Sequence, residues 1–148
     1  MLGAAPQTKI IGGVEYAVRP LNATKSLVVL ARVLRMAAPS FGDIASLRQA
    51  SAAVMQLLAG VAAELDEATL LYVCGELAAV TIVTDGANRL PLDKAFDVHF
   101  EGRLVELFEW LRFAAGVTYG PLATWLKSQA EKAAAEATPD PGAAAAAA

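Results

Sequence analysis

The residues of this chain that could carry out chemistry are few and widely scattered. His99 is the only histidine, and Asp93 and Asp97 lie near it in the sequence. A metal site or an acid–base pair would require these side chains to converge on one point. A lone histidine in such a segment more often packs beside an aromatic neighbour, here Phe100, or caps a helix end. We therefore predict no metal site and no catalytic group at this position.

The single cysteine, Cys74, also favours a structural role. It stands in an apolar run, Leu-Leu-Tyr-Val-Cys-Gly, and a small thiol in such surroundings behaves as a buried hydrophobe. Use of Cys74 as a nucleophile would require His99 as its base, and nothing in the sequence links the two. One cysteine and one histidine also cannot supply the usual ligand set of a zinc site.

The carboxylates give no clearer catalytic pattern. Glu106 and Glu109 are three residues apart, but they alternate with Arg103 and Arg112, which is typical of a solvated helix face with pairing along it. Glu76 stands alone in an apolar helix, where it either points outward or marks an interface contact. The chain has no phosphate-binding loop, dinucleotide-binding glycine motif or metalloprotease motif. We predict that it is not an enzyme and has no cofactor.

The amino-acid composition argues against further classes of protein. The 148 residues fit one domain, 56% are hydrophobic, and 18% are charged where about 25% is usual. A net charge of −3 argues against nucleic acid as a partner. A membrane span requires about 20 continuous apolar residues. The stretch 49–63 is too short, and Glu76 interrupts the stretch 68–84, so we expect no membrane span, no secretory signal and a cytoplasmic protein.

The elements that would position these residues are mostly helical. Gly12-Gly13 between two short alternating runs predicts a β-hairpin over residues 9–18. Capping residues and apolar spacing predict helices over 22–36, 43–65, 68–83 and 103–117, a short helix after Asp93, and a last helix starting at Pro121 after a turn. The predicted fold is therefore mainly α, a helical bundle of four to six helices with a short N-terminal β-hairpin. Residues 1–7 are expected to form a flexible N-terminus, 8–137 one domain, and 138–148 a flexible Pro/Ala-rich tail.

One predicted helix carries two apolar stripes. The first contains Leu104, Leu107, Phe108 and Leu111, and the second contains Trp110, Phe113, Ala114 and Val117. A helix can bury one stripe in its own core and offer the other to a partner helix. We predict a partner-binding surface formed by residues of the second stripe and one tryptophan of the last helix: Trp110, Phe113, Ala114, Val117 and Trp125.

Two segments resemble a known family. Residues 96–122 read Phe-Asp-Val-His-Phe-Glu-Gly-Arg-Leu-Val-Glu-Leu-Phe-Glu-Trp-Leu-Arg-Phe-Ala-Ala-Gly-Val-Thr-Tyr-Gly-Pro-Leu, and the opening hairpin is followed by Arg19-Pro20-Leu21. This is similar to the tail assembly chaperones of tailed bacteriophages and prophages. The similarity covers the first forty residues and residues 93–126, and its motifs are packing motifs with no catalytic signature.

The resemblance implies a function in the cytoplasm of the infected host cell. Such chaperones bind the long helical tape-measure protein, keep it soluble, and help tail-tube subunits to assemble around it. Many are made in a short and a frameshifted long form, and the segment after Ala137 suits the point of divergence. The sequence leaves open the oligomeric state, including self-association, the surface that contacts the client, the existence of a long form, and retention in the mature virion.

Three other functions are alternatives for this chain. A small helical virion structural or regulatory protein is the first alternative. A membrane-active phage protein such as a holin would require an uninterrupted apolar span, which Arg48, Glu64 and Glu76 prevent. An enzyme would require a group of reactive residues that the sequence does not show.

Overall fold

A four-stranded antiparallel sheet, with strand order β1-β2-β3-β4, lies at the centre of the computed structural model. The structure describes residues 3–37 and 66–137. The strands are β1 (Gln7–Ile11), β2 (Val14–Val18), β3 (Thr81–Asp85) and β4 (Asn88–Pro91). The hairpin of the N-terminal segment thus continues into a second hairpin from the middle of the chain, since β2 pairs with β3.

The predicted first hairpin is confirmed. Ile11 pairs with Val14, and Gly12 and Gly13 between them have φ angles of 58° and 81°. Glycine adopts such positive φ angles without a steric penalty, which a two-residue turn of this kind requires. The alternate residues Val14, Tyr16 and Val18 are all buried, as their spacing predicts.

The prediction of a mainly α fold is wrong, because the chain is mixed α and β. The predicted helix over 68–83 ends at Ala79, and the β-branched run that follows forms β3, which a turn with Gly86 at φ 60° joins to β4. β-Branched side chains lose rotamer freedom in a helix and pack well on a sheet. A lone hairpin is only marginally stable, so pairing with β3 and β4 gives the first hairpin the partners that it requires.

Four helices are present in the described residues: α1 (Ala23–Ala37), α2 (Glu67–Ala79), α3 (Phe96–His99) and α4 (Leu104–Ala137). A 3₁₀ turn, Leu92–Lys94, precedes α3. The side chains of Asn22 and Asp66 cap the first turns of α1 and α2 by accepting hydrogen bonds from the backbone amides of Lys25 and Thr69. The predicted starts of these helices are thus confirmed, whereas the predicted helix over 43–65 and the tail 138–148 lie outside the described residues.

The predicted turn before Pro121 is also wrong, since α4 runs through it as one helix. A proline inside a helix costs about 3 kcal/mol. Tertiary contacts on both sides of Pro121 oppose that cost. The Tyr119 hydroxyl donates to the carbonyl of Ser26, the backbone amide of Leu21 donates to Thr118, and Ala123 is buried beyond the proline.

The core lies between the inner face of the sheet, α2 and α4. Its largest fully buried side chains come from these three layers, from α1 and from the 3₁₀ turn: Trp110, Tyr16, Tyr119, Leu77, Leu92, Leu111, Val18, Val29, Val73 and Thr81. α1 packs on α2, and α4 contacts β1 and β2. The long helix is therefore the element that the sheet positions, and one side of it faces away from the sheet.

Candidate functional site

The side of α4 that faces the sheet contains three of the five predicted partner-binding residues. Trp110 and Ala114 are fully buried, and Val117 is 5% exposed. We call these three residues the inner face of α4. They are part of the protein's own core, so in this folded chain they are not available to a partner.

Trp110 is also fixed by hydrogen bonds. Its indole N–H donates to the Thr81 hydroxyl at 3.2 Å, and that hydroxyl donates to the carbonyl of Leu77 at 2.7 Å. Thr81 begins β3 and Leu77 lies in the last turn of α2, so this relay joins the sheet, α2 and α4. A buried polar group costs free energy unless it is paired, and here both side chains are paired.

Aromatic rings complete the packing around Trp110. The Phe96 ring meets it edge-on at 5.8 Å and the Phe100 ring is tilted at 5.6 Å, while Phe100 stacks parallel to Tyr16 at 6.3 Å between ring centroids. Such pairs add stability beyond the area that they bury. Phe96, Phe100 and Trp110 thus pack together as part of the core.

The other two predicted partner-binding residues do not join Trp110 on one surface. Phe113 is half-buried beside β1, with the Lys9 ammonium 5.9 Å from its ring centroid, and Trp125 is 54% exposed farther along α4. Binding by Phe113 and Trp125 stays a prediction. The sequence alone does not show which of the two stripes is buried, because the sheet that covers the second stripe forms by long-range pairing of β2 with β3.

Another side of α4 is largely open to solvent, although Phe113 and Gly116 on it are partly buried. Its residues recur every three or four positions, and we call them the outer face: Val105, Phe108, Glu109, Arg112, Phe113 and Gly116. Val105 is 73% exposed and Phe108 is 42% exposed. Two shallow clefts lie along this face, one of about 690 Å³ beside Val105 and Glu109, and one of about 390 Å³ beside Arg112 and Gly116.

Charged residues near the start of α4 line both of these clefts. In the larger one, Arg103 pairs with Glu106, whose carboxylate lies against the turn at Gly12, while Glu109 stays exposed. In the smaller one, Lys9 of β1 and Arg112 of α4 both line the wall. No ion pair joins Glu109 to Arg112 in the part of the chain that the structure describes. The predicted pairing along the helix is therefore present for Arg103 and Glu106 and absent for the second pair.

Large apolar side chains are also exposed on α1 and α2. Leu27 is 67% exposed, Leu71 is 60% exposed and Val28 is 42% exposed, and we call these three residues the α1–α2 surface. In the sequence, Leu27 belongs to an apolar stripe with Leu30, Ala31 and Leu34, and apolar residues cover more than half of the circumference of this helix. Such a pattern is typical of a helix that is central to the core or that also faces a partner.

Two polar contacts join α1 and α2. The Lys25 ammonium lies 3.2 Å from the Glu76 carboxylate, and the Arg32 guanidinium lies 4.1 Å from the ring centroid of Tyr72. Glu76, whose role the sequence left open, thus makes a contact within the chain. Together the two contacts fix the relative position of the helices that carry Leu27 and Leu71.

The single histidine and the single cysteine both occupy packed positions. When His99 is neutral, its Nε2 accepts a hydrogen bond from the Tyr16 hydroxyl at 2.6 Å. The His99 ring meets the Phe100 ring edge-on, with 4.8 Å between the ring centroids. Burial and then the charge of Arg103 lower the pKa of His99, and burial raises the pKa of the Cys74 thiol to about 11. Within the described residues, no three His, Cys, Asp or Glu side chains are grouped so that they could hold a metal ion.

Comparisons with known proteins agree with the resemblance seen in the sequence. The family model for the phage tail assembly chaperone protein, TAC, matches residues 12–122. Neither curated proteins nor solved structures gave a significant match. In the described part of the chain, no helix has the length and apolar character to cross a membrane. The matched region spans β2 to the middle of α4, well over half of the chain, and the protein therefore belongs to the phage tail assembly chaperone family.

Proposed function

We propose that this protein binds the phage tape-measure protein in the cytoplasm of the infected host cell and supports assembly of the tail tube around it. The observation that carries the proposal is the family match over residues 12–122. The tape-measure protein is the first proposed partner because the chain resembles chaperones that bind it, and the tail-tube protein is the second. An assembly factor of this kind acts through binding alone and requires no covalent chemistry.

The α1–α2 surface is the site that we assign to the client. Leu27 and Leu71 are large apolar side chains that are more than half exposed, on two helices held together by the Lys25–Glu76 contact. A helical client can cover such side chains with its own apolar face. Complete burial of one leucine contributes about 1.5–3 kcal/mol, so covering the exposed parts of Leu27 and Leu71 would strengthen the binding of an apolar helix.

Co-expression of the tape-measure protein with this chain tests the proposal. The wild type should keep the client in the soluble fraction and be recovered with it. Leu27→Glu/Leu71→Glu should reduce recovery about tenfold or more, because every 1.4 kcal/mol of lost binding is a factor of ten. Val98→Glu is the matched control, since Val98 is 78% exposed on α3 and lies outside the assigned surface.

Two results would contradict the proposal at different levels. Equal recovery by the double variant and the wild type would reject the α1–α2 surface and leave the function standing. Failure of the wild type to bind the client, together with its presence in purified virions, would reject the chaperone function in favour of a structural protein of the particle.

A further inference from the structure

The outer face of α4 is complementary to a second copy of itself. When two α4 helices are set antiparallel and centred between Glu109 and Arg112, each outer-face residue meets a different residue of the other copy. Val105 then lies opposite Gly116, Phe108 opposite Phe113, and Glu109 opposite Arg112. We propose that this protein forms a twofold-symmetric dimer through antiparallel pairing of the outer faces of α4.

The shapes at the two ends of the pairing match. Val105 is 73% exposed and projects beside one cleft, whereas Gly116 lines the other cleft and has no neighbouring atom within 4 Å of where a Cβ would stand. A valine side chain of one helix can therefore enter the space over the glycine of the other. Side chains that fill gaps between neighbours are the usual basis of helix–helix packing.

The charges match as well. Glu109 and Arg112 are both exposed and have no ion pair with each other in the described residues, and Lys9 places a second cation beside Arg112. In the proposed dimer, the Glu109 carboxylate of each subunit approaches the Arg112 and Lys9 side chains of the partner subunit. A twofold interface requires one patch to hold both members of each contact, and this patch does.

The centre of the pairing is aromatic. Phe108 is 42% exposed and Phe113 is half-buried, so stacking between subunits would cover apolar area that the isolated chain leaves in water. The paired segment from Leu104 to Val117 is about 20 Å long at a rise of 1.5 Å per residue. A contact of that length is short for a specific interface, which usually buries about 1,200–2,000 Å² in total, so the dimer should dissociate on dilution.

Charge reversal in the full-length protein tests this pairing directly. Glu109→Arg alone and Arg112→Glu alone each place like charges against each other across the twofold axis. Sedimentation equilibrium should show dimerisation weakened about tenfold or more in each variant. The double variant Glu109→Arg/Arg112→Glu restores the opposite-charge contacts, and it should dimerise about as strongly as the wild type.

Mixing the two single variants gives a sharper result. One chain then presents two cations and the other two anions, so the mixture should form a heterodimer more tightly than either variant pairs with itself. A mixture that gains no dimer over its components would overturn the proposal. So would a wild type that stays monomeric at the highest concentrations reached, or single variants that dimerise normally.

A steric variant tests the shape match independently. Gly116→Leu fills the space into which Val105 of the partner subunit would insert, and it should abolish the dimer while circular dichroism shows an intact fold. Gly75→Leu is the matched control, because Gly75 is a helical glycine on α2 with equally open surroundings. Dimerisation of the Gly116 variant at wild-type strength would contradict the antiparallel register.

Discussion

The two faces of α4 differ in whether the folded chain already buries them. The inner face, Trp110, Ala114 and Val117, is almost completely buried against the sheet and α2. The outer face keeps Val105 73% exposed and leaves Glu109 and Arg112 in water. Both faces contain large apolar residues at helical spacing, so periodicity alone assigns neither to the core. The difference shows that a second layer of structure, here the sheet, decides which stripe of a helix remains for a partner.

The largest expected effect is on the inner face. Trp110→Ala should lower the free energy of unfolding by about 3–5 kcal/mol, because it removes a fully buried ring and leaves a cavity. Trp125→Ala, at a position that is 54% exposed on the same helix, should cost less than about 1 kcal/mol. Urea denaturation of both variants measures the comparison. Equal losses would mean that the two ends of α4 are packed to the same extent.

A smaller effect is expected where the inner face is hydrogen-bonded. Thr81→Val keeps the shape of the side chain but leaves the indole N–H of Trp110 and the carbonyl of Leu77 without this partner. An unsatisfied buried group costs about 1–3 kcal/mol, and the free energy of unfolding should fall by that amount. Thr84→Val on the opposite face of the same strand serves as the control and should be nearly neutral. A neutral Thr81→Val would show that the relay contributes nothing to stability.

The smallest effect concerns His99 at the edge of the aromatic packing. Burial and Arg103 lower its pKa from the usual 6.5, against smaller opposing effects of Asp85 and Glu106. The unfolded chain thus takes up a proton at a higher pH than the folded chain. The free energy of unfolding should fall as the pH drops below about 6.5 and recover above it.

Urea denaturation at pH 7.5 and pH 5.5 measures this dependence. The control variant His99→Gln keeps an acceptor for the Tyr16 hydroxyl but cannot be protonated in this range, so its stability should change less between the two values. If wild type and variant lose the same stability on acidification, groups other than His99 carry the pH dependence.

Local signals predicted well those features that depend on neighbouring residues. The glycine pair of the first turn appears as expected, and the starts of α1 and α2, where Asn22 and Asp66 cap the first turns, likewise depend on residues only a few positions apart. Long-range contacts explain the failures. Pairing of β3 with β2 converts the end of a predicted helix into a strand, and contacts from Thr118 and Tyr119 to the start of α1 carry α4 through Pro121.

The candidate surfaces were harder to foresee for the same reason. Leu27 belongs to a regular apolar stripe but is exposed, whereas Val29 and Val33, which only flank that stripe, are buried. Helical spacing fixes which residues share a side and not which side meets the core. The prediction that Trp110 binds a partner depended on the same missing information, and its side chain is buried in this structure.

The pairing of Val18 with Thr81 has a consequence for how the protein is made. The hairpin of β1 and β2 leaves the ribosome long before β3 and α4, so its apolar side, with Val14, Tyr16 and Val18, lacks these two packing partners during early synthesis. Native contacts between distant parts of a chain form slowly, since the closing of a large loop must come first. Folding of this protein should therefore wait until translation has passed Trp110, and a chain shortened before α4 should aggregate or be degraded.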